Sequence, residues 1–256
     1  MTSEWIGSKG VEVIHQLRTI AWYHTVADEV GGTTPYEVTN LVDEIRATQP
    51  DQSNAEAKSF FPYAKGKVVP SVETLEMVES LLPWTRQVFD VGPKIEGGNA
   101  PIWLALGGTE EAVRSVLVWY QPKELGHLQA SGASVDTLIQ HVTGKWFPES
   151  VVLEALGKNQ PNWVEAAYRE GLLELSMELL TALICLWRLS MYRQEGFPYI
   201  NYLVTGLFRE AIPELMKPYG LEVDFVGYCM CIESHHWQYL RKLSDGQLFD
   251  TDTPCL

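Results

Sequence analysis

Apolar side chains recur three and four positions apart along almost the whole chain, and strict alternation of apolar with polar is rare, so the pattern predicts helices throughout. Val11, Ile14, Leu17, Ala21 and Val30 form one stripe on a first helix, which Gly31 and Gly32 terminate. A second helix has a sharp start: Thr34 is the N-cap, Pro35 takes the first turn and Glu37 completes a capping box. Val38, Leu41, Val42 and Ile45 are its buried face. A helix near Asn54 to Ala64 and another from Ser71 to the stop at Pro83 complete a helical N-terminal unit over residues 1–93.

Residues 94–108 read as a Gly/Pro-rich connection, with turns and helix caps as the use of its glycines. Neither Gly97-Gly98 nor Gly107-Gly108 leads into the Gly-Lys-Ser/Thr of a phosphate loop. Residues 109–243 read as a larger helical bundle, with helices at Thr109 to Tyr120, Ser134 to Val142 and Pro148 to Leu156. One long helix is predicted from Asn162 and Glu165 to a stop at Gly196 and Pro198. Its centre, Leu179 to Leu189, is apolar on nearly every face, which places it in the middle of the bundle or at an oligomer contact. Two more helices are expected at Tyr199 to Lys217, kinked at Pro213, and at Glu222 to Leu243, with a polar, mobile tail over 244–256. The fold class is therefore all-α: an N-terminal helical unit packed on or linked to a larger helical bundle.

The stretch from Tyr63 to Pro83, YAKGKVVPSVETLEMVESLLP, carries more than a period. Gly66 supplies a left-handed residue to close a helix and Pro70 blocks any helical run through it. Ser71 caps the next helix, Glu73 suits its positive end, and Leu75, Val78 and Leu82 recur at helical spacing. The order of Tyr63, Gly66, Lys67, Pro70, Ser71, Glu73 and Leu75 resembles the Cro/repressor-type helix-turn-helix family, over about a tenth of the chain. The resemblance implies DNA-linked regulation in which Lys58, Lys65 and Lys67 position the phosphates of duplex DNA. The helix that would enter the groove holds Phe60, Phe61 and Pro62.

Charge changes this picture. The 256 residues include 33 acidic and 19 basic ones, a formal net charge of -14, and a surface so acidic repels phosphate backbones. DNA contact would have to be local, or supplied through a dimer or a partner. The same acidity suits an alternative, a protein-protein interaction or inhibitor module without DNA binding. With 46% hydrophobic and 20% charged residues the chain is expected to fold. The opening MTSEWIGSKGVEVI carries Glu4 and Glu12 and reads as no targeting segment, and the apolar run Leu179 to Trp187 is too short for a bilayer. A cytoplasmic protein without a membrane partner is the expectation. Four cysteines in a chain of this size read as no disulfide framework.

Two constellations could carry chemistry. Cys229, Cys231, Glu233, His235 and His236 lie close in sequence, but helical geometry puts Cys229, Glu233 and His236 on one face and Cys231 and His235 on another, so no metal is favoured there. Glu precedes His by three in Glu12/His15, Glu124/His127 and Glu233/His236, the step that stacks ligands for a dinuclear metal in a helical-bundle oxidase. That enzyme is a second alternative. No Gly-x-Ser-x-Gly elbow is present and no cofactor is implied. The leading expectation is a non-enzymatic binding protein acting on DNA through its N-terminal unit, with a protein partner or self-association at the C-terminal bundle.

Overall fold

The structure, a computed structural model, describes residues 7–48, 59–146 and 163–244. Helices dominate them, as the periodicity predicts; the one sheet among these residues is a pair of two-residue strands. The first helix, α1 (Gly7–Val30), ends where Gly31 adopts φ +72 and the Gly31 and Gly32 amides donate to the carbonyls of Asp28 and Ala27, a Schellman ending. Helix α2 (Pro35–Ala47) has the capping box read from Thr34 and Glu37: the Glu37 amide donates to Thr34 Oγ1 at 3.2 Å and the Thr34 amide donates to Glu37 Oε2 at 3.0 Å. Val38 and Val42 are fully buried. Val11, read as part of the α1 stripe, is instead 50% exposed, while Ile14, Leu17 and Ala21 are buried.

Next come α3 (Phe61–Ala64), α4 (Val72–Leu81) and α5 (Thr85–Asp90). Of the helix expected over Asn54 to Ala64, the part before Ser59 lies outside the described residues, and the helical turn seen starts at Phe61. Pro62 falls in its first turn, where a missing amide costs nothing, so the proline begins a helix here and does not interrupt one. Phe60 and Tyr63 close on Trp22 of α1 with ring centroids 5.8 and 5.5 Å apart.

The Gly/Pro-rich stretch folds as an antiparallel pair, β1 (Lys94–Ile95) and β2 (Gly98–Asn99), followed by α6 (Ile102–Gly107). Ile102, Trp103, Ala105 and Leu106 of α6 are buried, so this connection contributes to the core. Helices α7 (Glu110–Tyr120, capped by Thr109), α8 (Pro122–Ala130) and α9 (Val135–Trp146) follow; the Pro148 to Leu156 expectation lies outside the described residues.

The single long helix is in fact two. Helix α10 (Trp163–Arg169) stops at Gly171, which takes φ +69, and α11 (Met177–Arg193) starts afresh at Ser176, whose hydroxyl accepts from the Leu179 amide at 3.2 Å. Every residue of α11 from Leu179 to Tyr192 is buried, and the helix packs against α6, α7, α9 and α12 (Phe197–Gly206). Its excess of apolar faces is thus absorbed inside the chain. Arg188, at the polar edge of the apolar run, is also fully buried: it donates to the Tyr192 hydroxyl at 2.6 Å, and that hydroxyl donates to the Gly108 carbonyl at 2.9 Å. The helix expected from Tyr199 to Lys217 also divides, into α12 and α13 (Ala211–Met216), before a short 3-10 turn (Lys217–Tyr219) and α14 (Asp224–Ser244).

Two hydrophobic clusters result. One gathers Trp22, Tyr23, Val26 and Ala27 of α1 with Val38, Val42, Phe60, Tyr63, Leu75 and Val78; the other gathers Ile14, Leu17, Ile20 and Ala21 of the same helix with α6, α7, α9 and α11. Helix α1 serves both.

Candidate binding surface

The turn between α3 and α4 is built from the residues that carry the family resemblance. Gly66 takes φ +60; its amide donates to Tyr63 O and the Lys67 amide to Pro62 O, both at 3.0 Å, so the one-turn α3 also closes as a Schellman motif. A Cβ on Gly66 would stand 3.0 Å from the Gln16 carbonyl of α1, so the position requires glycine for its conformation and for its neighbour. Pro70 is buried, and Ser71 Oγ accepts from the Thr74 amide at 3.3 Å to start α4, whose Leu75 and Val78 face inward.

What the turn shows to solvent is mixed. Lys65 and Lys67 are exposed, and among the described residues neither has a carboxylate within ion-pair distance. The Lys65 ammonium lies 5.3 Å from the centroid of the Phe61 ring. Around them Phe61, Val68, Val69 and Val72 are all roughly half exposed, an apolar set that periodicity alone could not separate from core positions. The outer face of α4 carries exposed Glu73 and Glu76. Lys58 lies outside the described residues.

At the far end of α4, Trp84 is 62% exposed and takes the left-handed φ +79. Glu79 holds it there, accepting from the Trp84 amide at 3.0 Å and the Arg86 amide at 2.8 Å, and so caps α5. Sequence reading missed this residue; Leu82-Pro83 just before it gave only a stop signal.

The metal candidates do not converge. Glu12 is exposed on α1 and His15 is half-buried in a cleft beside Arg18; Glu124 and His127 are exposed on α8. On α14, Glu233 is engaged by the Asn201 amide at 2.7 Å and the Trp237 indole N–H at 3.3 Å. Asn201 in turn accepts from the Trp187 indole at 2.8 Å, so Glu233 ends a hydrogen-bond chain that ties α14 to the central helix. His236 is buried with its ring 4.3 Å from that of Phe197, and burial lowers its pKa to about 4. His235 is half-buried and lowered for the same reason. Cys229 is a fully buried thiol pushed up by desolvation, and Cys231 is disulfide-bonded and has no thiolate to offer. Among the described residues no group of three or more His, Cys, Asp or Glu side chains could hold a metal ion, and no helix is long and apolar enough to cross a membrane.

Comparison with protein-family models, with curated proteins and with solved structures finds no match to this chain.

Proposed function

We propose that this chain is a non-catalytic helical binding protein that uses the α3–α4 turn to dock a protein partner bearing carboxylates next to apolar side chains. The observation that carries this reading is the exposed set of Phe61, Val68, Val69 and Val72 beside two lysines without ion pairs among the described residues. In a chain of net charge -14 these lysines are a local positive feature, and a carboxylate placed between them gains attraction while the valines lose water-exposed area. Duplex DNA is the second reading. It is favoured by the formed caps at Gly66 and Ser71 and the exposure of Lys65 and Lys67; exposed Glu73 and Glu76 on α4 weigh against it.

Selection from a displayed peptide library on the intact protein tests the first reading. Binders should be enriched in Asp or Glu adjacent to apolar residues, and should be lost on Val69→Asp and on Lys65→Glu with Lys67→Glu, with the circular dichroism of both variants unchanged. Peptides indifferent to these changes overturn it. Retention of duplex DNA at low salt, lost in the double lysine variant, would favour the second reading.

A further inference from the structure

A cleft of about 330 Å³ lies between α1, the end of α5 and α6, on a different set of residues from the α3–α4 turn. Its walls are apolar, and three of them are left uncovered: Val11, Val91 and Leu104 are 50%, 37% and 46% exposed. Trp103 adds its ring; its indole N–H is already donated to the Val88 carbonyl at 2.8 Å.

The polar end is Arg18 with His15 and Asp90. Arg18 is fixed in orientation: Nε donates to the Phe89 carbonyl at 2.6 Å and the guanidinium carbon stands 4.4 Å from the Phe89 ring centroid. Its charge is only partly matched. Asp90 Oδ1 is 3.6 Å from Nη2, beyond hydrogen-bond reach, because Asp90 leans toward Arg86, whose Nε donates to Oδ2 at 3.1 Å. The two terminal nitrogens of Arg18 therefore have no hydrogen-bond acceptor among the described residues, while its side chain keeps 20% exposure. A planar fork held at Nε and open at its two terminal nitrogens is the geometry that receives a carboxylate end-on.

We propose that this cleft binds a small apolar monocarboxylate, its carboxylate on the terminal nitrogens of Arg18 and its hydrocarbon body against Leu104, Val91 and Trp103. A single negative charge fits the site. Asp90 beside the guanidinium opposes a dianion such as phosphate, and His15 adds no second positive charge, since burial and then Arg18 lower its pKa. The volume sits at the small end for ligand sites, which sets the size of the acid.

Calorimetric titration of the full chain with phenylacetate and isovalerate, each against its own amide, tests the proposal. At least one acid should bind saturably and about tenfold or more tighter than its amide, and should shift the Arg18 Nε–H resonance in nitrogen-15 spectra. Leu104→Glu, at a half-exposed position, sets a carboxylate at the mouth and should abolish binding without unfolding the protein. Arg18→Gln should remove the preference for acid over amide; if that variant fails to fold, Leu104→Glu and the acid-amide comparison still decide. Lys65→Glu with Lys67→Glu should leave acid binding intact, which keeps this test separate from that of the turn. No saturable binding by either acid, equal binding of acid and amide, or indifference to Leu104→Glu overturns the assignment.

Discussion

Gly220 sets its bare α-carbon against the imidazole of His24, so closely that a Cβ there would lie 2.2 Å from Nε2. It also takes φ +63 to close the 3-10 turn. This contact ties the segment before α14 to the first helix. Gly220→Ala should therefore cost at least about 2 kcal/mol in urea denaturation, from left-handed strain and steric conflict together. Adding His24→Ala should return the steric part and leave the strain of about 1 kcal/mol, so the two substitutions will not add.

The burial of α11 on every face predicts strong asymmetry between neighbouring leucines. Leu183, with no exposed surface, should cost about 2–5 kcal/mol on replacement by alanine, and Leu183→Asp should leave little folded protein. Leu172, half exposed in the break between α10 and α11, should tolerate alanine within about 0.5 kcal/mol. Thermal melts of the three variants check both statements.

His236 makes stability depend on pH in a defined direction. Its folded pKa is lowered from 6.5 to about 4 by burial, so as pH falls the unfolded chain takes up this proton first. The stability it contributes is complete above about 6.5 and is lost as the pH falls toward 4, up to about 3 kcal/mol in all. His236→Phe keeps a ring against Phe197 and should flatten the decline over that window by one proton. His15, His24 and His235 are lowered as well, so a shallower slope of the same sign should remain.

Trp84 combines exposure with a backbone conformation that costs a non-glycine residue about 1 kcal/mol. Trp84→Gly should raise the melting temperature, while Glu79→Ala, which removes the acceptor for the Trp84 and Arg86 amides, should lower it, with a loss of stability typical of a lost cap, about 1 kcal/mol. A Trp84→Gly variant that melts lower would mean that the indole packs in a way its exposure does not suggest.

Where the fold was legible in the sequence, the signal was local. Thr34 with Glu37, Ser71 and the glycines at 31 and 66 all do what cap chemistry demands, because each acts on a backbone group within a few residues. The break at Gly171 was hidden because Leu172, Leu173 and Leu175 carry apolar character across it, and period cannot tell a turn lined with leucines from a helix. The inward Arg188 and the outward Val11 and Val68 depend on which elements meet them, and the cleft at Arg18 exists only because α5 and α6 fold back on α1. The Glu/His pairs had the right step along each helix, but α1, α8 and α14 do not bring them together.

Helix α1 gives its first half to one hydrophobic cluster and its second half to the other, without a break between Gly7 and Val30. Melting either cluster deprives a continuous helix of half its packing, and a frayed helix exposes the other. Cooperativity is thereby wired into a single rod: the two cores should lose structure in one transition, and cutting the chain to isolate the turn-bearing unit would strip Ile14, Leu17 and Ala21 from the bundle that remains.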